Sequence, residues 1–332
     1  MAEKLPISLG FGSNVRTRPV LDGKIEPEGI ELRSTAVHGS ELFWRQLRFA
    51  EFDVSEMSLS SLLMLTASGK SPWWALPIFT SRQFFHTGIL VRSDRGIEKP
   101  QDLKGKRVGV PEYQQTAALW ARGALKHEFG VDPMDCEWWM ERVGERSHGG
   151  AVGFTPPPGL NFNRIPAEKS IGSMLLNGEL DATLLYLTDS NLVDRSRVDL
   201  SGNPNIKPLF ADREAEGARF YKSTGLFPIN HGVVVRRSIL EQHPWVAQSL
   251  FDAFNKAKNA AHDRLLSLTG VYSDLGLLPA EDRANLEIDP YPYGIKANQN
   301  VLETVTRWSN EQGLTPRVMS LEEVFAPSIM AT

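Results

Sequence analysis

A single cysteine, Cys136, occurs among 332 residues, so no disulfide can form within the chain, which fits a reducing compartment. No window approaches the roughly 18 apolar residues of a membrane span. The opening MAEKLPISLGFG has no apolar core of signal-peptide length and is interrupted by Pro6. The expectation is a soluble cytoplasmic protein without a membrane partner. Charge of one sign is also missing: 36 Lys and Arg against 40 Asp and Glu leave a net charge of −4 with no basic stripe, so nucleic acid is not an expected partner. There is no G-x-G-x-x-G after the first apolar segment, no P-loop and no G-x-S-x-G. The seven histidines show neither H-x-H nor H-E-x-x-H spacing, so a metal would have to be gathered from distant loops, and none is expected.

What is present is an alternation of strand and helix signals. PISLGFG and EGIELRSTAV read as strands, SELFWRQLRF as a helix with Ser40 at its N-cap, FDVSEM as a buried strand, and SSLLMLTAS as a short helix closed by Gly69. WWALPIFTS and TGILVRS are further strands. KRVGVPEYQQTAALWARGALKHEFGV then predicts strand, loop and a helix from Thr116 to Glu128 capped by Gly130. KSIGSMLLNGELDATLLYL predicts helix, Gly178 cap and strand. Two α/β units with largely parallel sheets follow from the short connections. Between them, residues 141–166 are rich in Gly, Pro and Asn and too long for a plain connector; a lid, an oligomer contact and a mobile insertion all fit. Late helices carry Val246, Leu250, Phe254, Ala257 and Ala261 on one face, with Pro244 at the start, and Val301, Val305 and Trp308 on another. Packed back on the first unit, they give a discontinuous lobe (1–92 plus 225–332) around an inserted lobe (93–224), with a cleft between.

Ligands of open α/β sheets sit beyond the carboxyl ends of the strands, which singles out particular loops. SNVRTRP supplies Arg16 and Arg18, whose planar forks suit a carboxylate. SEMSLSS supplies Glu56, Ser58 and Ser60 at a helix start, where free amides favour an anion. TSRQFFH sets Arg82 and His86 beside two phenylalanines, the mixture an aromatic acid requires. VPEYQQTAALW places Glu112, Tyr113, Gln114 and Thr116 around a helix N-terminus. TGLFPINHGVVVRR, with Thr224 at its head, puts His231 at the mouth of an apolar strand. A lone histidine there is commonly structural, but its position at the crossing between lobes makes it a candidate. DPYPYG adds Tyr291 and Tyr293.

EFDVSEMSLSS, LKGKRVGVPEYQQTAALWARGAL, TGLFPINHGVVVRR, HPWVAQSLFDAFNKAK and PYPYGI together resemble the 4,5-dihydroxyphthalate decarboxylase family, in order and over nearly the whole chain. The resemblance implies a two-lobed type 2 periplasmic-binding-protein-like fold with a hinge, used as an enzyme. It also implies loss of CO2 from a dihydroxylated phthalate to give protocatechuate, with no cofactor, since the substrate carries its own electron sink. Relatives often read Tyr-Asp-Arg-Thr-Arg where this chain has Asn14 and Val15 before Arg16-Thr17-Arg18, and Arg-His-Ser where it has Phe85-His86-Thr87, so a related aromatic acid also fits. Arg16, Arg18 or Arg82 would anchor the retained carboxylate. His231 and His86, with Glu112 third, are the acid–base candidates, and Ser58, Ser60, Tyr113, Gln114, Thr116, Thr224 and Tyr293 are expected to bind substrate. The alternative is a non-catalytic ABC-transporter-type binding protein for an organic anion, against which the absence of a leader argues. The sequence leaves homo-oligomerisation open.

Overall fold

The chain builds two mixed sheets, and the same segment order that defines them brings their edges together. A computed structural model describes residues 3–332. The first sheet contains β1 (Leu5–Phe11), β2 (Ile30–Ala36), β3 (Val54–Ser58), β4 (Trp73–Arg82) and, much later, β11 (Ile229–Arg236), in the order β2-β1-β3-β11-β4. The second contains β5 (Leu90–Arg92), β6 (Arg107–Val110), β7 (Glu137–Met140), β8 (Phe162–Arg164), β9 (Ala182–Thr183) and β10 (Ile206–Pro208), in the order β10-β5-β9-β6-β7-β8. Among the described residues no helix is long and apolar enough to cross a membrane.

The strands are less uniformly parallel than the sequence suggests. β1 runs parallel to β2 and β3, and β6 to β7 and β9, but β11 is antiparallel to both its neighbours, and β5 is antiparallel to β9 and β10. The reason lies in the path. The other first-sheet strands end at the crossing between sheets, whereas β11 re-enters from it. Its first residues therefore lie beside the last residues of β3 and β4: His231 opposes Ser58, and Ile229 opposes Arg82.

One hydrophobic cluster includes residues of both sheets, from Ile7, Leu9 and Val54 to Val108 and Val110. The helix Thr116–Phe129, ended by Gly130 in the left-handed conformation, is the main bridge. Its Trp120 packs edge-on against Trp308 at 5.2 Å and donates to the Ile229 carbonyl at 2.8 Å. Gly123 is required there: a Cβ would fall 1.9 Å from Trp308. The Gly- and Pro-rich stretch is ordered as a short helix, His148–Val152, followed by β8 on the edge of the second sheet. The helix after β2 runs Gly39–Phe49 with His38 at the cap position, two residues earlier than Ser40 predicts. The Ser40 hydroxyl instead accepts a bond from Arg142 at 2.8 Å.

Candidate active site between the sheets

His231 and Glu56 meet because of strand register. His231 opposes Ser58 and Val233 opposes Glu56, so His231 and Glu56 are diagonal neighbours on one face. The pairing of β11 with β4 is irregular on both sides of His231, a local break of the kind that re-aims a side chain. His231 Nδ1 lies 2.9 Å from Glu56 Oε1, and its ring meets the Phe43 ring edge-on at 4.7 Å. Glu56 is buried, and burial alone opposes its charged form. The His231 hydrogen bond and charge, the Thr80 hydroxyl and the Gly12 amide outweigh that and hold the carboxyl below its usual range. Gly12 must be glycine for this, since a Cβ would lie 2.9 Å from Glu56 Oε2. An ionised carboxylate only accepts, so Nδ1 carries a proton. Nε2 is the nitrogen not bonded to Glu56. Its partner is the Asn230 side-chain amide at 2.8 Å.

A cavity of about 470 Å³ opens at this point, and residues from both sheets line it. His231, Asn230, Ser58, Phe43 and His38 come from the first-sheet side. Thr116, Ala117, Arg142, His148, Leu185 and Arg213 come from the other. Ser58 Oγ and Thr116 Oγ1 are 2.9 Å apart, and the Ser60 amide donates to the same Thr116 oxygen at 2.9 Å. Thr116 begins a 14-residue helix whose N-terminus has no side-chain cap. Its first-turn amides, which have no acceptor within the helix, lie at the cleft wall.

Behind that wall is a second carboxylate–imidazole grouping. Glu112 is fully buried; it accepts from the His148 amide at 2.7 Å and from the Gln114 side chain, and lies 3.7 Å from Arg142. Arg142 also pairs with Asp194 at 2.7 Å. His148 Nε2 lies 2.9 Å from the Ser40 carbonyl. Burial first, and Arg142 beside it, lower the His148 pKa despite Glu112. Arg142 and Ser40, and His148 and Ser40, tie the second-sheet side to the first across the cleft. Arg213, by contrast, is exposed and forms no ion pair among the described residues.

Of the residues singled out in the sequence, Ser58, Thr116 and His231 line this cleft and Glu56 stands behind His231; the other candidates lie elsewhere. Arg18 is exposed beside Asp22 at 3.4 Å, and both it and Arg16 line a separate groove. Arg16 stacks on Tyr291 at 3.7 Å and donates to the Thr80 carbonyl at 3.0 Å. Arg82 is committed to the carbonyls of Phe227 and Pro292 and to Asn298, and burial lowers its pKa to about 10. His86 sits among Phe210 and Phe220, 2.9 Å from Glu216, and burial lowers its pKa. Glu112 and Gln114 stand behind the wall. Tyr113 is buried under the Arg122 guanidinium at 3.6 Å, Ser60 is buried, Thr224 bonds the Phe220 carbonyl at 2.7 Å, and Tyr293 is buried near Lys258. A strand or loop end fixes a position but not a direction, and these side chains point into the core or the other groove. Sequence reasoning missed Asn230, Phe43, Arg142, His148 and Arg213. Asn230 precedes His231 directly, and Phe43 was legible only as part of a helical apolar face; the others carried no periodic signal. Among the described residues no group of three or more His, Cys, Asp or Glu is placed to hold a metal ion.

Two α/β sheets enclosing a polar cleft, with a late strand returning to the first sheet, define the class: a periplasmic-binding-protein-like fold. The periplasmic aliphatic sulphonate binding protein SsuA from Escherichia coli matches with a TM-score of 0.55 at 12% identity, over 99% of this chain and 100% of that one. Residues 76–140 match the family model described as NMT1/THI5 like. The 4,5-dihydroxyphthalate decarboxylase of Comamonas testosteroni is 34% identical over 328 residues, 98% of this chain and 97% of the relative. That of Pseudomonas putida is 36% identical over 220 residues, 66% of this chain and 83% of the relative. The chain belongs to the 4,5-dihydroxyphthalate decarboxylase family.

Proposed function

We propose that this chain is a carboxy-lyase that removes CO2 without oxidation from a hydroxylated phthalate, 4,5-dihydroxyphthalate or a close aromatic acid, in the cleft beside His231. The observation that carries this reading is the Glu56–His231 pair, with one imidazole nitrogen committed to the carboxylate and the other at the cleft wall. Phe43, Phe85, Leu90 and Leu185 give the aromatic ring an apolar surface. Arg213 and the first-turn amides of the helix Thr116–Phe129 take the carboxylate that stays.

The chemistry then needs one proton in the right place. The His231 imidazolium, stabilised by Glu56, donates from Nε2 to the ring carbon that bears the departing carboxylate. The hydroxyl para to that carbon passes its proton to solvent water and pushes its electron pair into the ring, so that the intermediate is a dienone rather than a cation. The carbon–carboxylate bond breaks, its electron pair returns to the ring, CO2 leaves and the hydroxyl is reprotonated. The balance is one carboxylate and one proton giving one arene C–H and one CO2, and solvent reloads His231. Positioned acid–base groups of this kind supply about 10²–10⁴ in rate.

The test is incubation of the full chain with 4,5-dihydroxyphthalate in D2O, following CO2 and the ring spectrum. The expected product is 3,4-dihydroxybenzoate with a single deuterium at the vacated carbon. Tight binding with an unchanged spectrum and no CO2 would assign the cleft to capture of an anion instead.

A further inference from the structure

The 30-residue helix Trp245–Asp274 changes character halfway along. Its first half buries Val246, Ala247, Leu250, Phe254 and Ala257. Beyond Ala261 apolar side chains are left uncovered. Leu265, Leu268, Val271, Tyr272 and Leu275 are 43%, 59%, 59%, 58% and 68% exposed, while the polar Thr269 and Ser273 are half-buried. Ser273 lies within 3.5 Å of Arg283 from the next helix, Ala280–Leu286. A helix end that leaves these apolar side chains in water lacks its partner in the single protomer.

The spacing says what kind of partner. Residues 265, 268, 272 and 275 are separated by three, four and three positions, the narrow seam by which one helix packs lengthwise on another. The seam is also self-complementary. Laid antiparallel about Gly270, two copies place Leu265 on the partner subunit's Leu275 and Leu268 on the partner subunit's Tyr272, so that every layer is apolar. That is what a two-fold interface requires of one patch. Leu277, 68% exposed and bonded through its amide to the Tyr272 carbonyl, widens it. Together these side chains expose on the order of 700 Å², close to one partner's share of a specific interface. The patch continues into a groove of about 860 Å³ lined by Leu265, Leu268 and, from the loop after β1, the exposed Val15.

We propose that the face formed by Leu265, Leu268, Tyr272 and Leu275 is a self-association surface, occupied by the same face of a second copy in antiparallel register. None of these residues lines the catalytic cleft, so the inference stands apart from the proposed reaction.

Sedimentation of the full chain over about a hundredfold concentration range tests it. The parent is expected to self-associate, and Leu268→Glu with Leu275→Glu to raise the dissociation constant on the order of 100-fold or more with an unchanged circular dichroism spectrum. A parent that stays monomeric, or a charged variant that assembles like the parent, overturns the proposal. A second variant covers a failure of the first to fold: Leu265→Cys with Leu275→Cys. Ten residues apart on one helix, the two thiols stand about 15 Å from each other and cannot pair within a chain, and the native Cys136 is buried. Mild oxidation should give a covalent dimer. A monomer or a ladder of polymers would contradict the closed antiparallel arrangement.

Discussion

The cleft is flanked by two groupings built from the same residue types, Glu56 with His231 and Glu112 with His148, and they are fitted for opposite work. His231 has one nitrogen on its carboxylate at 2.9 Å and the other beside Asn230 at the cavity. His148 has its Nε2 on the Ser40 carbonyl, its backbone amide on Glu112, and the Arg142 guanidinium against its ring at 3.4 Å. In the first grouping the imidazole is bonded to its carboxylate, and no arginine is paired with that carboxylate. In the second, Arg142 already supplies the cation for Glu112 and Asp194, and burial and that cation together lower the His148 pKa. The two groupings thus differ in whether the ring reaches the cavity and whether an arginine already balances the carboxylate. We read the second grouping as a rigid wall that joins the two sides of the cleft through Ser40.

The comparison can be broken most forcefully at Arg142. Arg142→Gln leaves Glu112 and Asp194 buried without their cation, and should cost about 3–5 kcal/mol in chemical denaturation. Glu56→Gln removes a carboxylate whose partner reaches the cleft, so its main loss should be in turnover. Equal damage to stability from both would erase the distinction.

Arg213 gives a smaller effect of a different kind. Its replacement by Ala should raise KM about tenfold with little change in kcat, as for a group that holds substrate and transition state alike. A loss confined to kcat would remove it from carboxylate binding.

The smallest effect is in pH. His86 and His148 both have folded pKa values lowered from 6.5 by burial. Below that value the unfolded chain binds protons that the folded one does not, so stability is full above it and falls as the pH drops through the window beneath. Urea midpoints measured from neutral pH downward should decline, and His148→Gln should flatten part of the decline. An unchanged slope in that variant would mean that His148 already accepts a proton in the folded state.

Much of the framework was readable because its signals are local. Gly130 after TAALWARGALKHEF announced the end of the bridging helix, and the Val246–Ala257 stripe announced its own burial. His231 was legible from its place before an apolar strand. Its partner was not, because Glu56 becomes a neighbour only when β11 enters antiparallel beside β3, a long-range pairing that no local pattern carries. The arginines misled for a related reason. Residue type suggested carboxylate anchors, yet Asn14 Oδ1 accepts from the amides of Arg16 and Thr17 and turns that loop toward another groove, and Arg82 is spent on backbone carbonyls. Arg142 and His148 lie in the stretch with no periodicity at all, so their convergence on Glu112 and Ser40 was invisible.

The measurement closest to the central claim is a cycle of His231→Gln, Glu56→Gln and the double variant, each shown to be folded, with kcat followed by CO2 release. If Glu56 acts through His231, then His231→Gln lowers kcat about 10²–10⁴-fold and adding Glu56→Gln costs nothing further. A folded His231→Gln protein that turns over like the parent, or two losses that simply multiply, would contradict the account.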